Sequence, residues 1–380
     1  METKQSMFKT QEKKPFETAI AVADYYGFKP VGTIYDKKSR GKDFVSNNER
    51  DLQQNIYIES GALNSEHPMF YTIKVDRSDE KEFCLNVFNT KKSVAEALIM
   101  QTSMSILNEY GYENIFVDIN SLGDNKSFGS FVKDLGSYYR KNIDSICSHC
   151  KNKIHKNPLK IVECKNERCV SLLNDAPKAI SYLNDDQIRH FKEIIEYLES
   201  IGVQYKINDN LIYDEIENGL PNIIFQIKKI GGSENEEMIL AKGERFDHQL
   251  KNSKSRKRIP SVYTSLDLLK TKKVHKIEPT GHSMGNKKIY FVHIGHEARL
   301  QSLCVIENLR KRNIPIFQSI IEDGLIKQML DAESINASYT IIMGVKEVKD
   351  KFVIVRNMDT HAQESISIEQ LPIYLKHVVK

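Results

Sequence analysis

The sequence lacks several features that would place it in a familiar class of protein. No apolar run reaches ~18 residues, so no segment is long enough to cross a membrane as a helix. Residues 1–15 are polar and have no secretory apolar core, and we expect them to form a disordered tail. There is no internal repeat. These absences favour a globular protein of the reducing cytoplasm, where the six cysteines would not form disulfides.

The chain also lacks the motifs of two common kinds of active site. It has no Walker-type phosphate loop, and no Ser/His/Asp or Cys/His set is apparent. The 380 residues are 40% hydrophobic and 28% charged, which is typical of a globular protein of two or three domains. If the protein catalyses a reaction, its active site therefore uses neither a Walker-type phosphate loop nor one of these nucleophile sets.

Positive charge is clustered, although the formal net charge is only +4. Nine basic residues and one acidic residue lie between Lys251 and Lys276, and seven basic and three acidic residues lie between Lys141 and Arg168. Such runs can neutralise the phosphates of a nucleic acid. The alternative is the solvated surface of a lysine-rich chain, because clustering alone is not specific.

Apolar spacing predicts two folded regions of different design. Short strands joined by short links favour an antiparallel sheet in an α+β fold over 16–274. Its predicted helices span 16–27 and 184–202, and its strands 115–119, 203–207, 222–229 and 237–241. A polar linker is predicted at 275–287. Strands then alternate with helices over 288–380, which predicts a small α/β domain with a mixed sheet.

Two close pairs of cysteines stand thirteen residues apart. Four thiols in this arrangement suit a tetrahedral Zn²⁺, and flanking Lys and Arg side chains favour the thiolate forms. The alternative is a set of four reduced cysteines in a polar loop. Cysteine is usually buried as a small apolar residue, whereas these four lie among charges. We therefore predict a structural zinc site formed by Cys147, Cys150, Cys164 and Cys169.

Three stretches, taken in order, resemble histidyl-tRNA synthetases. They are Ile119-Asn-Ser-Leu-Gly-Asp124, the run from Lys156 to Pro177, and a C-terminal set that includes Lys327, Gln328 and Arg356. The resemblance covers roughly 16–380. It implies a class II antiparallel catalytic fold over 16–274, an anticodon-binding-like domain over 288–380, and a homodimer. It also implies that the C-terminal set contacts RNA.

The same resemblance shows two positions at which the family has an arginine and this sequence has another residue. Lys74 stands where motif 2 has an arginine, and Arg77 is a nearby surrogate. Tyr213 stands where the histidine-specific motif has its key arginine. Arginine holds a phosphate or carboxylate with a planar fork, whereas lysine offers a point charge and tyrosine no charge.

Two further motifs are changed at glycine and arginine positions. The family's Gly-Gly-Arg-Tyr-Asp appears as Gly243-Glu-Arg-Phe-Asp247, so Arg245 remains but Glu244 fills a glycine position. In motif 3, Tyr263 replaces a glycine, and Lys270 replaces the arginine that contacts ATP. A side chain at a glycine position prevents close approach to the backbone.

These substitutions affect the groups that would stabilise a transition state. Losing one such donor typically costs ~10²–10³ in rate. Our interpretation is a synthetase-like protein with eroded catalytic motifs that binds tRNA or another RNA or protein partner. One alternative is an active, diverged histidine–tRNA ligase that binds ATP through Lys74, Arg77, Arg245 and Lys270. Another alternative is a regulatory subunit that senses an amino acid.

Overall fold

Two β-sheets organise the part of the chain that the structure describes. The computed structural model describes residues 14–35, 69–75, 81–154, 156–212, 220–230, 237–249, 258–268 and 287–378. The predicted tail at 1–15 and linker at 275–287 lie almost wholly outside these ranges, so both stay predictions, as do the domain boundaries. No helix of the described residues has the length and apolar character needed to span a membrane.

The first region alternates strands with helices of very different length. In chain order its elements are α1 (Glu17–Tyr25), β1 (Lys29–Tyr35), β2 (Met69–Val75), β3 (Lys81–Phe88), α2 (Val94–Glu109), β4 (Ile115–Ser121), α3 (Asn125–Lys141), α4 (Ser148–Lys151), α5 (Glu167–Leu173), α6 (Asp185–Ser200), β5 (Tyr205–Ile207), β6 (Ile223–Ile230), β7 (Glu237–Gln249) and β8 (Arg258–Leu266).

The second region is shorter and more regular. Its elements are β9 (Lys288–His293), α7 (His296–Lys311), β10 (Phe317–Gln318), α8 (Leu325–Ser334), β11 (Ala337–Met343), α9 (Val345–Lys349), β12 (Phe352–Asn357), β13 (Gln363–Ser367) and α10 (Leu371–Val378). Its shortest strand, β10, has only two residues.

The strand orders confirm the predicted fold class. The eight-stranded sheet has the order β1-β2-β3-β8-β7-β6-β4-β5. Its pairs are antiparallel except at the two edges, where β1 runs parallel to β2 and β5 parallel to β4. The second sheet has the order β10-β9-β11-β12-β13. It is mixed, because β10, β9 and β11 are parallel while β12 and β13 are antiparallel.

Helix α6 illustrates how local sequence produces an element that was predicted. The side chain of Asn184 accepts a hydrogen bond from the backbone N–H of Gln187 at 3.0 Å, and the Gln187 side chain accepts one from the Asn184 N–H at 2.9 Å. This reciprocal cap begins the helix. Buried Phe191, Ile194 and Leu198 turn one face toward the core. Gly202 follows the helix with φ +69°, a conformation that glycine adopts without strain.

The two faces of the large sheet have different coverings. Helices α1, α2 and α6 cover one face and share an apolar cluster with β2, β3, β4, β6 and β8. On the other face, Ile224 joins a second cluster built on α3 and the cysteine-containing segment. Cys84, Phe246 and Tyr263 form a third, small cluster on that face. We call the face covered by α1, α2 and α6 the helix face, and the opposite face the distal face.

The second region docks on the first through α7. Gln101 Nε2 donates to the carbonyl of Leu303 at 3.1 Å, and Tyr25 Oη donates to the carbonyl of Ile314 at 2.8 Å. The apolar cluster of the helix face continues without interruption into β9, α7 and β11. The two regions therefore share one core.

A buried charged network reinforces this docking. Arg310 on α7 donates to both oxygens of Glu307, at 2.8 and 3.0 Å, and to Glu109 on α2 at 2.8 Å. Tyr26 also donates to Glu307. Burial alone would raise the pKa of Glu307, but hydrogen bonds and charge from Arg310 outweigh it and hold that pKa below its usual value.

We predict that Arg310→Met destabilises the protein by ~3 kcal/mol at pH 7, because it leaves the largely buried carboxylates of Glu307 and Glu109 without their main counter-ion. Because the folded pKa of Glu307 is depressed, its contribution is present above the unfolded pKa of ~4.3 and is lost as pH falls through the folded value. The difference between wild type and variant should therefore shrink on acidification. Urea unfolding followed by circular dichroism at pH 7 and at acidic pH measures it.

The exposed neighbour Arg312 provides the control, because Arg312→Met removes the same charge outside the network. Its effect should stay within ~0.5 kcal/mol. Equal effects of the two substitutions would contradict a role for Arg310 in docking.

Candidate functional site

Arg245, the arginine retained in the predicted site, lies on the helix face of the sheet. It is 4% exposed, and its strand partners Val262 and Ile223 belong to the core cluster of that face. Its guanidinium forms a bidentate pair with Glu96 of α2, in which Nη2 donates to Oε2 at 2.7 Å and Nε donates to Oε1. The same group donates to the carbonyls of Thr90 at 2.9 Å and Lys92 at 3.1 Å.

Glu96 is completely buried and has a second partner. The Nε2 atom of His190 on α6 lies 2.7 Å from Glu96 Oε1. Burial would raise the pKa of Glu96, but the charge of Arg245 and hydrogen bonds from His190 and Arg245 outweigh it and lower that pKa. Arg245 and Glu96 therefore form an ion pair that joins β7 to α2, the segment before α2, and α6.

Lys74 lies on the distal face, far from Arg245. Lys74 on β2 is the strand partner of Glu82 on β3. Arg245 on β7 is the partner of Val262 on β8, which is in turn the partner of Val87 on β3. Glu82 and Val87 are five residues apart on β3, so their side chains point to opposite faces and are separated by about 17 Å along the strand. The two cations do not converge on one site.

The other predicted ATP contacts, Arg77 and Lys270, and Tyr213 of the histidine-specific motif lie outside the described residues, and their roles stay predictions. Lys74 itself is 8% exposed, and its Nζ lies 3.4 Å from Glu82 Oε2. An adjacent carboxylate reduces the charge that Lys74 can offer to a phosphate.

The residues at two glycine positions of the family occupy the distal face. Glu244 and Tyr263 are strand partners on β7 and β8 and are 6% and 7% exposed. The Tyr263 Oη atom lies 3.9 Å from Cys84 Sγ. The neighbouring Gly243 points to the helix face, where an added Cβ would lie 2.1 Å from the ring of Phe225. Close packing therefore requires glycine at 243, while bulk and negative charge occupy the adjacent position.

The four predicted zinc ligands come together. Their Sγ atoms all lie within 4.8 Å of one another, and Cys147 Sγ is 3.9 Å from Cys164 Sγ. Tetrahedral Zn²⁺ with Zn–S bonds of ~2.3 Å needs sulfurs about 3.8 Å apart, which this cluster approaches. Residues 147–150 and 164–169 bring the thiols together over the apolar cluster of α3.

The protein environment affects these thiols unequally. The backbone N–H of Cys150 lowers the pKa of the Cys147 thiol to about 7. Burial raises the pKa of Cys150 and of Cys169. The backbone N–H of Cys147 also points at Cys169 Sγ, at 3.5 Å. The donor set is therefore four thiols, a combination that suits zinc.

An exposed basic stripe on α3 adjoins the cysteine segment. Lys126, Lys133 and Arg140 are exposed and follow one another at intervals of seven residues, so they share one side of the helix at ~10.5 Å spacing. A Cβ at Gly136 would lie 3.3 Å from Arg140 Nη1 and 3.7 Å from Pro158, which places the stripe beside that segment. The charge count between Lys141 and Arg168 missed this stripe because two of its three residues are isolated in the sequence.

The three predicted RNA contacts have different surroundings. Lys327 is exposed and lies 2.9 Å from Glu322. Arg356 is half-buried on β12, with Nη2 3.2 Å from His361 Nδ1. Gln328 is fully buried, and its side-chain amide donates to the carbonyl of His293 at 2.9 Å and accepts from its N–H at 3.0 Å. Gln328 thus ties α8 to the end of β9, and a role of this buried side chain in RNA binding stays a prediction.

Comparisons with known proteins agree with this architecture. Residues 288–377 match the family model of the anticodon binding domain. A largely antiparallel sheet followed by such a domain is the architecture of a class II synthetase-like protein. The fold is similar to that of apo histidyl-tRNA synthetase from S. aureus, with a TM-score of 0.53 and 18% identity over 98% of each chain.

Curated relatives extend the likeness to the sequence. The chain is 26% identical over 333 residues to a histidine–tRNA ligase of Clostridium kluyveri, covering 84% of this chain and 77% of the relative. It is 26% identical over 337 residues to that of Caldicellulosiruptor bescii, with coverages of 84% and 78%. The chain is therefore similar to histidine–tRNA ligases along most of its length, and its C-terminal region matches an anticodon binding domain.

We predict that Glu96→Gln destabilises the protein by ~3–5 kcal/mol, because it leaves the buried guanidinium of Arg245 without a counter-ion. Replacing both partners, as Glu96→Leu with Arg245→Met, should recover much of that loss because no unpaired charge remains. Urea unfolding followed by circular dichroism measures all three proteins.

The exposed pair of Asp186 and Arg189 provides the control, since Asp186→Asn breaks an ion pair that is open to solvent. That change should cost less than ~1 kcal/mol. Wild-type stability in Arg245→Met alone would contradict a structural role for the pair.

Proposed function

We propose that this protein is a histidyl-tRNA synthetase-like protein that binds tRNA and has lost histidine activation. One observation carries the proposal: Arg245 is buried on the helix face in an ion pair with Glu96, about 17 Å along the strand from the level of Lys74. A phosphate on the distal face would have no access to Arg245.

The charges on the distal face support the same conclusion. Activation of an amino acid by ATP builds negative charge on phosphates, and enzymes stabilise it with fixed cations. Here Lys74 has Glu82 beside it, and Glu244 brings a further carboxylate to the face. Negative charge at this position opposes the binding of a phosphate group.

Two surfaces support RNA as the partner. The second region matches an anticodon binding domain, and its Lys327 and Arg356 have solvent access. The α3 stripe beside the cysteine segment offers three cations at regular spacing to a phosphate backbone. The homodimer implied by the family resemblance remains a prediction.

An active histidine–tRNA ligase is the second candidate, because the curated relatives carry that name at 26% identity. In that case Arg77, Lys270 and Lys74 would have to bind ATP without Arg245. Tyr213 would have to replace an arginine with a neutral side chain. The two candidates predict opposite results in a single assay.

We further propose that Cys147, Cys150, Cys164 and Cys169 hold a structural zinc ion. Four protein ligands leave no open position for a substrate, so such an ion would stabilise the fold rather than catalyse a reaction. Its role would be to hold the short helices α4 and α5 together, since residues 147–169 contain little regular structure.

We expect the full-length protein to show no histidine-dependent pyrophosphate exchange and to retain total tRNA on filters with strong salt dependence. Replacing Lys126, Lys133 and Arg140 with alanine should reduce the slope of log K against log salt by about 2.7 if each contacts one duplex phosphate. A slope difference of about 2.7 means that raising the salt from 50 to 200 mM weakens tRNA binding about 40-fold more in the wild type than in the variant.

Alanine at Arg189, Lys192 and Lys206 provides the matched control, because these exposed cations belong to α6 and β5 and not to the α3 stripe. Histidine-dependent exchange in the wild-type protein would overturn the loss of activation. Salt-independent or absent tRNA retention would overturn the RNA proposal.

We expect about one zinc per chain by atomic emission after purification without chelators, and a lowered melting temperature after chelation. Cys164→Ser should abolish the bound zinc, because it removes one of four ligands. Cys304→Ser is the matched control, since this thiol lies outside the cluster and bonds to the Ser200 carbonyl at 2.8 Å. A zinc-free protein whose stability is insensitive to chelators would contradict the assignment.

A further inference from the structure

The four thiols of the cysteine cluster form two pairs that differ in exposure. Cys150 and Cys169 are 1% and 0% exposed and belong to the apolar cluster built on α3. Cys147 and Cys164 are partly exposed and only pack against that cluster. We call the first pair the inner thiols and the second pair the outer thiols. A reagent in solvent therefore reaches the outer thiols first.

The outer thiols are also close to each other. Cys147 Sγ lies 3.9 Å from Cys164 Sγ, so a disulfide bond of ~2.05 Å would require the two sulfurs to approach by about 2 Å. Cys147 precedes the four-residue helix α4, and Cys164 lies in the irregular segment before α5. Their chain neighbours His149 and Lys165 are exposed. Side-chain rotation and a small shift of this irregular backbone are enough to bring the sulfurs together.

The inner thiols have a different environment. They share an apolar cluster with Tyr139, Ile146 and Leu159. A neutral cysteine packs as a small apolar residue, so this environment suits two protonated thiols. The inner thiols can therefore stay in place when no metal holds them. The cluster thus has one pair fit for reaction with a solvent reagent and one pair fit for burial.

We propose that hydrogen peroxide converts the outer thiols, Cys147 and Cys164, into a reversible disulfide that excludes zinc from the cluster. One outer thiolate attacks a peroxide oxygen, the O–O bond breaks, and a sulfenic acid and hydroxide form. The other outer thiolate attacks the sulfenic sulfur, displaces a second hydroxide and closes the S–S bond. The two sulfurs lose two electrons to the peroxide, and both hydroxides take up protons to become water. A thiol reductant reverses the oxidation.

The disulfide and the zinc ion cannot occupy the cluster together. The thiolate is the metal ligand, and oxidation leaves only the two inner thiols of the four ligands. The disulfide would link residues 147–150 to residues 164–169, the same segments that the ion would join, so a cross-link remains after the ion has left. This exclusion of zinc rests on the zinc site proposed above, whereas the pairing of the outer thiols does not.

The experiment treats the full-length, zinc-loaded protein with hydrogen peroxide and follows free thiols, released zinc and disulfide-linked peptides. Free thiols should fall from six to four per chain. About one zinc per chain should be released in step with them. Mass spectrometry should find Cys147 linked to Cys164, while Cys84, which is 0% exposed, stays reduced. Dithiothreitol should restore all six thiols and zinc binding.

Cys147→Ser and Cys150→Ser form a matched pair of variants, because each removes one zinc ligand but only the first removes an outer thiol. Peroxide should still link Cys147 to Cys164 in Cys150→Ser, whereas Cys147→Ser should form little or no disulfide within the chain. Equal disulfide yields in the two variants would overturn the proposal.

The peptide map of the wild type is decisive even if a variant fails to fold. No disulfide, or one that includes Cys150 or Cys169 as often as the outer thiols, would overturn the proposal. A wild-type protein that binds no zinc would contradict the metal assignment instead, because the pairing of the outer thiols is then measured by the same peroxide reaction on the zinc-free protein. Retention of tRNA and pyrophosphate exchange are separate readouts, so failure here is distinguishable from failure of the proposed function.

Discussion

The packing of α2 and α6 on the large sheet depends on the buried ion pair between Arg245 and Glu96. Removing both charges from water costs several kcal/mol per ion, and only a complete set of partners offsets this. The partners are present: two backbone carbonyls accept from Arg245, and His190 contacts Glu96. Together they join β7, α2 and α6. The presence of Arg245 in the sequence therefore has a structural explanation that needs no substrate.

Polar contacts continue from this pair into the second region. Arg245 bonds to the carbonyl of Lys92, and the Lys92 ammonium lies 2.5 Å from Asp323 beyond β10. Asp323 in turn pairs with Arg299 of α7, whose Nε donates to buried His293 at 3.1 Å. With the shared apolar cluster, these contacts make the docking of the anticodon-binding-like domain part of the core. A substitution at the junction should therefore affect both regions.

The sequence predicted best what depends on local pattern. The apolar spacing after Asn184 predicted helix α6. The spacing of the four cysteines predicted a cluster, and the fold brings these thiols together. Helix α2 gave no such signal, because every residue from Val94 to Leu107 is buried and no polar face marks a 3.6-residue period. The direction of Arg245 could not be predicted either, because a shift of one residue in strand register moves a side chain to the other face.

Because function depends on strand register in this way, a shared fold does not by itself imply a shared activity. A class II sheet can be preserved by its apolar rows, while chemistry depends on which side chains project from the distal face. On that face the described residues place Lys74 beside Glu82, and Glu244 opposite Tyr263. Three exposed cations, Lys126, Lys133 and Arg140, instead lie outside the sheet, along α3. Selection for binding an extended polyanion, rather than for stabilising a compact phosphate transition state, would produce this distribution.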